Sequence, residues 1–422
     1  MNLKKAAIPG FVLILLTFLL PSHQVKAQEG SRFPSQPLQG EADYSTLMVD
    51  GITRFMDREL ALSSEKRLSK WTPDFSSKTA YVQSVADNRR RFGQMIGAVD
   101  EINFDIEMQY KVTGGNPEKV AENDRFIAYA VQWEVFAGVH GEGLLLQPKG
   151  VVKGRIVAIP DADQTPEMLI GTSPGIPKNG QYARILAENG CQVIIPTIIS
   201  REVAGSGSER MGRFTNQPHR EWIYRQAYTF GRHIIGYEVQ KIIAAVDWMA
   251  NQNEQSPLKI GVLGWGEGAL LGLYSAALDE RIDVALVSGY FSDRTKVWEE
   301  PIYRNVAGLL TEFGDADIAR LILPRTLMIE YATAPEVKGP PDPLPGAPRL
   351  GASAAPGALT IADFKTVEEE VAKAKQRTGP FHTSLHFIHA DEKPLQPLSI
   401  SSIQAFLEQV QPGAVQLSTS QK

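Results

Sequence analysis

Residues 258–273, LKIGVLGWGEGALLGL, decide the architecture of this chain. They begin with an apolar run that contains β-branched isoleucine and valine, which is typical of a buried strand. Three glycines at alternate positions, Gly264, Gly266 and Gly268, then predict a sharp turn. Apolar residues resume at helical spacing after the turn. The stretch therefore predicts a strand, a tight glycine turn and a helix.

Two kinds of site are built on such a turn. In a nucleophile elbow, G-x-S-x-G, the strained turn lifts a serine out of the sheet. In a dinucleotide fingerprint, G-x-G-x-x-G/A, the glycines let a pyrophosphate approach the helix N-terminus. Residues 264–269 satisfy the second pattern in full. They satisfy the first everywhere except at the nucleophile, where Gly266 stands in place of serine.

The composition and the N-terminus predict an exported globular protein. The chain has 422 residues, 43% of them apolar, which is enough for one large core or a core and a smaller domain. Lys4 and Lys5 precede an apolar stretch at 11–20 that is too short to span a bilayer, and small residues end at Ala27. This pattern predicts a signal peptide, residues 1–27, cleaved after Ala27, with periplasmic or extracellular location and no stable membrane insertion afterwards. An uncleaved membrane anchor is the alternative.

Other features narrow the classes of partner and cofactor. The net charge of −5, without a basic block, argues against nucleic acid as a partner. Cys191 is the single cysteine, so an intramolecular disulfide is excluded. Its apolar surroundings predict a buried packing residue rather than a reactive thiol. The spacing of histidine, cysteine and aspartate fits no zinc, calcium or haem site, so we expect no metal and no cofactor.

The first third of the chain predicts helices followed by antiparallel strands. Residues 28–124 predict a mainly helical segment. It begins with a polar lead-in at 28–40, and helical patterns follow at 45–62 and 79–97. We interpret the charged run Asn88-Arg89-Arg90-Arg91 as a solvated helix face. Period-2 alternation at 102–111 and 125–147 predicts antiparallel strands.

From residue 153 predicted strands alternate with predicted helices. Such alternation with apolar strands predicts a mostly parallel sheet covered by helices on both faces. The predicted strands are 154–160, 191–196, 284–291, 325–331 and 383–389, and the predicted helices are 181–188, 237–251 and 399–410. Residues 336–358, rich in proline, glycine and alanine, predict an irregular loop or lid, and 411–422 a polar tail.

The order of these elements favours the elbow over the fingerprint. A dinucleotide fingerprint normally opens its nucleotide-binding domain. Here antiparallel strands, two strand–helix units and a long helix come first. In a hydrolase the nucleophile follows the fifth strand, and the acid and histidine lie on later strands.

Four segments carry a family resemblance: PDADQTP at 160–166, GRHIIGYEVQKIIAAVDWM at 231–249, AALDERID at 276–283 and ADIARLILPRTLMIE at 316–330. In this order they resemble secreted bacterial α/β-hydrolases of the dienelactone-hydrolase and acetylxylan-esterase-like branch. The resemblance implies an α/β-hydrolase domain over about 125–410. It also implies hydrolysis of small-molecule or carbohydrate esters by a serine or cysteine nucleophile, an acid and a histidine, without cofactor.

The catalytic candidates follow from that layout. Gly266 offers no nucleophilic atom, so the neighbouring Glu267 is the nearest group that could attack or activate water. His389 ends the last predicted strand, where a triad histidine normally lies. Glu330 and Asp293 lie at or just beyond strand ends and are the acid candidates, although either could be simply solvated.

Further polar residues predict a cleft. Asp161 and Asp163 lie in the loop that usually completes the oxyanion hole, with Trp265 beside the turn. Two carboxylates there would repel an oxyanion, but they could hold a cation or a sugar hydroxyl.

A second polar group precedes the long helix at 237–251 and could bind a substrate carboxylate or sugar. Its candidate residues are His219, Arg220, Arg232 and His233. A network of surface ion pairs explains the same residues equally well. Ser206 and Ser208 lie in a glycine-rich stretch. This composition favours a flexible loop rather than a site for a nucleophile.

Three functions therefore remain open from the sequence. The first is ester hydrolysis through Glu267, His389 and an acid. The second is a catalytically silent hydrolase fold that binds a carbohydrate or another ligand. The third is dinucleotide binding at residues 264–268.

Overall fold

The computed structural model of the chain describes residues 43–102, 106–113, 116–203, 215–253, 257–342, 353–411 and 417. The chain divides into two compact units, Met1–Phe55 and Met56–Lys422. The described part of the first unit is the beginning of a long helix, on which Leu47, Met48 and Ile52 are exposed. The predicted signal peptide and the polar lead-in lie outside the described residues.

One mixed sheet is the framework of the second unit. The described strands are β1 (Gln109–Tyr110), β2 (Val112–Thr113), β3 (Asn116–Pro117), β4 (Lys119–Glu122), β5 (Phe126–Phe136), β6 (Val139–Pro148), β7 (Gly154–Ile159), β8 (Cys191–Pro196), β9 (Ile260–Trp265), β10 (Val284–Ser288), β11 (Thr326–Glu330), β12 (Val337–Gly339), β13 (Gly357–Leu359) and β14 (Leu385–Ile388). The strand order is β1-β5-β6-β8-β7-β9-β10-β11-β14, with β4 also paired to β5. Strands β5 and β6 are antiparallel, whereas pairing is parallel from β8 to β14.

Helices accompany the strands along the chain. The described α-helices are α1 (Tyr44–Lys66), α2 (Lys78–Ser84), α3 (Ala86–Met95), α4 (Pro166–Ile170), α5 (Tyr182–Glu188), α6 (His219–Tyr228), α7 (Ile234–Asn253), α8 (Glu267–Leu278), α9 (Asp315–Ile322), α10 (Phe364–Arg377) and α11 (Ile400–Val410). Within the described residues, no helix is both long and apolar enough to cross a membrane.

Side chains of the central strands alternate between two apolar cores. In β7, Val157 and Ile159 belong to one core, and Ile156 and Ala158 belong to the other. Such alternation requires a sheet that is covered on both faces, because successive strand side chains point to opposite sides. Helices α7, α8 and α9 contribute to the first core, and α5 and α11 contribute to the second. The predicted mostly parallel sheet with helices on both faces is therefore confirmed.

Several predicted boundaries needed correction. The predicted helix at 79–97 is two helices, α2 and α3, which meet at Val85. The predicted strand at 102–111 is reduced to β1 in its described part. The ends of the predicted irregular loop at 336–358 pair as antiparallel strands β12 and β13, and residues 343–352 lie outside the described part. Sequence periodicity did not predict α9 or α10.

Two of the four residues in the charged run on α3 are buried, so the interpretation of the run as a solvated face was wrong for these two. Asn88 and Arg89 are 4% and 8% exposed. Arg89 donates from Nε to the Ala277 carbonyl oxygen at 3.0 Å and from Nη2 to the Leu321 carbonyl oxygen at 3.0 Å. Backbone carbonyls at these helix positions need a donor, and a buried guanidinium supplies it. Arg89 therefore attaches α3 to the C-terminal ends of α8 and α9.

We expect Arg89→Ala to lower the free energy of unfolding by about 2–4 kcal/mol, because buried carbonyl oxygens lose their donor. Arg90→Ala is the matched control, since its side chain is exposed and its contact with Asp87 spans 3.5 Å. It should change stability by less than about 0.5 kcal/mol. Urea denaturation measures both, and equal losses would contradict the assignment.

Candidate functional site

The predicted glycine elbow is present between β9 and α8. Gly266 adopts φ 58° and ψ −116°, a conformation that L side chains rarely adopt. A Cβ at Gly264 would lie 2.3 Å from the Gly268 carbonyl carbon. A Cβ at Gly268 would lie 2.3 Å from the Ile159 carbonyl oxygen. The strand and helix thus approach so closely that the two flanking glycines have no substitute.

The space above the elbow apex is already filled. A Cβ built on Gly266 would lie 2.4 Å from Asp161 Oδ1 and 2.4 Å from Pro335 Cγ. A nucleophilic side chain at this position would therefore displace a loop on each side. The surrounding structure therefore has no space for a serine side chain at residue 266.

The backbone donor beside the apex is also occupied. In this kind of elbow, the N–H of the residue after the nucleophile normally stabilises the oxyanion. Here the Glu267 N–H donates to Asp161 Oδ1 at 2.9 Å. Asp161 is 1% exposed, so its carboxylate is enclosed with this donor. A negative charge from the chain itself occupies the place of the oxyanion.

Arg201 holds the same carboxylate. Its Nη1 lies 2.5 Å from Asp161 Oδ2 and its Nη2 lies 3.1 Å from Oδ1, a two-pronged arrangement. Nη1 also donates to Asp163 Oδ2 at 2.8 Å, and Nε donates to the Tyr303 hydroxyl at 3.0 Å. Sequence reasoning missed Arg201, which follows β8 in a loop without a recognisable motif.

Glu267 is enclosed by three guanidinium groups. Its side chain is fully buried and lies 2.6 Å from Arg304 Nε, 3.3 Å from Arg220 Nη2 and 3.4 Å from Arg201 Nη2. Burial alone would raise its pKa, but Arg304, Arg220 and Arg201 outweigh burial and lower the pKa to about 2. Such a carboxylate has little proton affinity near neutral pH. Its catalytic role stays a prediction.

Ion pairs extend from Glu267 in both directions. Arg220 Nη1 contacts Glu238 at 2.9 Å, and Arg304 Nη1 contacts Glu300 at 2.9 Å. Glu300 in turn contacts Arg294 at 3.0 Å, which also pairs with Asp315 at 2.8 Å. Burial raises the pKa of Asp315 to about 6, although Arg294 opposes this shift.

The acid candidates are engaged in local contacts. Glu330 is 2% exposed and accepts hydrogen bonds from the Ser288 and Ser402 hydroxyls, both at 2.6 Å. It also accepts the Leu398 and Ser399 N–H groups at 2.8 and 3.0 Å, at the start of α11. Glu330 thus connects β10, β11 and α11.

Asp293 is half-buried and accepts hydrogen bonds from the Thr295 N–H at 3.2 Å and the Thr295 hydroxyl at 3.1 Å. The roles of Glu330 and Asp293 as catalytic acids stay predictions.

His389 follows β14, as expected, at the carboxyl edge of the sheet. Its ring is exposed and packs against Phe387 and Phe364, with centroid distances of 4.6 and 5.2 Å. Its Nδ1 faces the Asp391 carbonyl oxygen at 3.3 Å. In the described part of the chain, no hydrogen bond joins it to Glu267 or to either acid candidate. The structure therefore does not assemble a triad from these residues.

The predicted substrate-binding residues have separate partners. His219 Nδ1 lies 3.1 Å from the Ser200 hydroxyl, and Arg232 pairs with Asp100 at 2.6 Å. His233 is 5% exposed, its Nε2 lies 3.2 Å from the Asn305 carbonyl oxygen, and burial lowers its pKa to about 4. Arg220 belongs to the buried network described above. Substrate binding by these four residues stays a prediction.

The structure also describes the surroundings of Trp265 and Cys191. Trp265 is half-buried and donates from Nε1 to the Thr333 carbonyl oxygen at 2.6 Å. Cys191 is fully buried, and burial raises its pKa to about 12, which confirms the predicted packing role. Ser206 and Ser208 lie outside the described residues. Across the described ranges, no group of three or more His, Cys, Asp or Glu side chains is arranged to hold a metal ion.

Two cavities lie near this site. A cavity of about 340 Å³ lies at the carboxyl ends of β10 and β11, and its wall includes Tyr290, Asp293, Tyr331 and Thr360. A cavity of about 220 Å³ is lined by Arg201 among other residues, with Asp163, Tyr303 and Lys338 in its wall. Crevices outside the carboxyl ends of strands are the usual ligand sites of open α/β sheets.

Comparison with known proteins agrees with this geometry. Residues 154–318 match the family model of the dienelactone hydrolase family. This region of the chain is therefore similar to dienelactone hydrolases. The matched region includes the elbow, both ends of the ion-pair network around Glu267 and Arg201. The resemblance to dienelactone hydrolases seen in the sequence is thereby confirmed, and secretion stays a prediction.

Solved structures support the same fold. A "putative acetyl xylan esterase" from Bacteroides fragilis is 13% identical, with a TM-score of 0.54, and the match covers 88% of this chain and 90% of that chain. A glucuronoyl esterase from Solibacter usitatus is 10% identical, with a TM-score of 0.47, covering 78% and 92%. The first likeness and the strand order together show an α/β-hydrolase fold.

One curated relative matches over a shorter region. The Bacillus subtilis protein "Putative hydrolase YtaP" is 28% identical over 109 residues, which is 24% of this chain. The match covers 36% of the length of YtaP, so this chain spans about a third of that relative.

We expect the charge on Glu267 to stabilise the fold by about 3 kcal/mol, since its pKa falls from the ordinary value of 4.5 to about 2. The lowered pKa means that this contribution is present above about pH 4.5 and is lost as the pH falls towards 2. The difference in unfolding free energy between the parent and Glu267→Gln should therefore become smaller as the pH falls from 7 to 3. Urea denaturation between pH 3 and 7 measures it.

Glu368→Gln is the control, because Glu368 is an exposed carboxylate on α10. It should change stability by less than about 0.5 kcal/mol at every pH. A difference for Glu267→Gln that stays constant over this pH range would exclude the pKa shift as its origin.

Proposed function

We propose that this chain is a catalytically silent hydrolase-fold protein that binds a carbohydrate or another small polar ligand at the carboxyl edge of its sheet. One observation carries the first half of the proposal: Asp161 occupies the oxyanion donor beside an apex that has no nucleophile. Acyl transfer needs both an activated nucleophile and a free oxyanion donor. A family domain can keep its fold while its function changes.

Ligand binding, the second half of the proposal, is supported by the cavity of about 340 Å³ at the ends of β10 and β11. Its volume suits a small ligand. Tyr290, Tyr331 and Thr360 in its wall combine aromatic surface with hydroxyl groups, which suit the apolar faces and hydroxyls of a sugar. The putative acetyl xylan esterase among the structural matches makes a carbohydrate the first class to test.

Ester hydrolysis through Glu267, His389 and an acid is the second candidate. It is favoured by the dienelactone hydrolase match over residues 154–318. The ion pairs of Glu267 and the exposed position of His389 argue against it. A hydrolase of this kind would need Glu267 to leave its three arginines before it could accept a proton.

Dinucleotide binding at residues 264–268 has less support. A pyrophosphate would need the N–H groups at the start of α8. Asp161 already accepts the Glu267 N–H, and the Glu267 side chain adds a second negative charge nearby. Both carboxylates would repel the phosphates.

Export, with cleavage after Ala27 and no stable membrane insertion afterwards, stays a proposal from the sequence. We likewise propose that nucleic acid is not a partner. N-terminal sequencing of the mature protein checks the cleavage site.

Hydrolysis of p-nitrophenyl acetate by the chain from Gln28 onwards should stay at the buffer rate. Gly266→Ser should remain inactive too, because its Cβ would overlap Asp161 and Pro335 and its oxyanion donor stays occupied. Initial rates are compared with buffer, and circular dichroism verifies that each protein is folded.

His389→Ala distinguishes the two candidates, since the residue is exposed and its loss should leave the fold intact. His382→Ala is the matched control, because His382 is also exposed and precedes β14. Turnover by the parent chain that His389→Ala abolishes and His382→Ala preserves would overturn the silent assignment.

Thermal denaturation with neutral and acidic oligosaccharides tests ligand binding. We expect at least one ligand to raise the Tm of the parent by a few degrees, because it binds the native state only. Ala358→Trp should abolish this shift, since exposed Ala358 lines the cavity of about 340 Å³. Val151→Trp is the control at an exposed position outside that cavity wall. Equal shifts in both variants would exclude this cavity as the site.

A further inference from the structure

The carboxylate of Asp161 is held on both oxygens by other parts of the chain. Oδ1 accepts the Glu267 N–H at 2.9 Å and faces Arg201 Nη2 at 3.1 Å. Oδ2 faces Arg201 Nη1 at 2.5 Å and accepts the Asp163 N–H at 3.1 Å. Two guanidinium donors and two backbone donors thus converge on one carboxylate. This set is the arrangement by which proteins recognise a carboxylate ligand.

The Arg201 and Glu267 donors are held by contacts that do not involve Asp161. The Arg201 side chain is 6% exposed, and its Nε donates to the hydroxyl of buried Tyr303. Its Nη2 also lies 3.4 Å from Glu267, so the guanidinium is oriented by a second carboxylate. The Glu267 N–H belongs to the elbow, where strand and helix approach so closely that a Cβ on any of the three glycines would overlap other atoms. Removal of the Asp161 side chain should therefore leave a formed site with an uncompensated positive charge.

Arg201 is also reachable from the outer side. It lines the cavity of about 220 Å³, together with Tyr303 and Lys338. Asp163 lies in the same wall, and its side chain is 56% exposed. The loop that carries Asp161 therefore borders both the buried donors and an open cavity.

We propose that the elbow is a carboxylate-binding site that Asp161 fills as an internal ligand, and that displacement of Asp161 opens it to a free carboxylate from the adjoining cavity. No covalent bond forms or breaks in this exchange. The inference rests on the proposed silent function, because the occupied donor is the one that an esterase would need. Asp161 then acts as an autoinhibitory side chain, which competes at high effective concentration with any external acid.

Asp161→Gly tests the site, with acetate as the probe, because acetate replaces the methylene and carboxylate that are removed. The full mature chain is titrated with sodium acetate at neutral pH, and sodium chloride at equal ionic strength is the reference. We expect acetate to raise the Tm of the variant in a saturable manner by at least about 3 °C. The parent chain should shift by less than about 1 °C, because Asp161 already occupies the site.

Two further variants separate specific binding from a salt effect. Asp161→Asn keeps an amide in the site and should not respond to acetate. The double variant Asp161→Gly with Arg201→Gln should lose the response, since the two-pronged donor is gone. If Asp161→Gly does not fold in chloride, recovery of its circular dichroism signal by acetate is measured instead.

An acetate response that is absent in Asp161→Gly, or equal in the double variant, overturns the proposal. Esterase activity in the parent chain would overturn the silent function but would leave the acetate titration unchanged. The two failures are therefore distinguishable.

Discussion

The Glu267 carboxylate at the elbow is the charge on which this end of the molecule depends. Arg201 comes from the loop after β8, Arg220 from α6 and Arg304 from the 3₁₀ turn Ile302–Arg304. These segments are distant in sequence, and one arginine from each contacts Glu267. Buried ions cost much desolvation free energy, so each must find a partner of opposite charge. That requirement brings a loop, a helix and a 3₁₀ turn together around one carboxylate.

The same network sets what the elbow can do. A general base must exchange protons near the working pH, and an oxyanion hole must present free donors. Glu267 holds its charge to a low pH because three arginines surround it, and its N–H is used by Asp161. The electrostatics of this site suit a permanent negative charge better than one that develops during a reaction. A hydrolase fold with this interior is consistent with binding rather than covalent chemistry.

The position of the cavity of about 340 Å³ follows from the fold rather than from the elbow. Parallel strands end at one edge of the sheet, and the loops that leave β10 and β11 separate there to form a crevice. Arg294 and Arg304 lie in the wall of that cavity, and they also belong to the ion-pair network of Glu267. The cavity and the elbow therefore share a charged boundary.

The sequence by itself determined the strand–turn–helix at the elbow, the mostly parallel sheet and the absence of a nucleophile at Gly266. These are local properties, since apolar periodicity and glycine spacing depend on neighbouring residues. The sequence could not reveal that Arg201 contacts Asp161 with two nitrogens, that Arg89 is buried, or that Glu330 accepts the N–H groups at the start of α11. Each of these features depends on a contact between residues that are far apart in the sequence. A charged residue is therefore expected to be solvated until its partner is known. Only the tertiary structure decided which charges are buried, because burial is a property of the assembled layers and not of the chain.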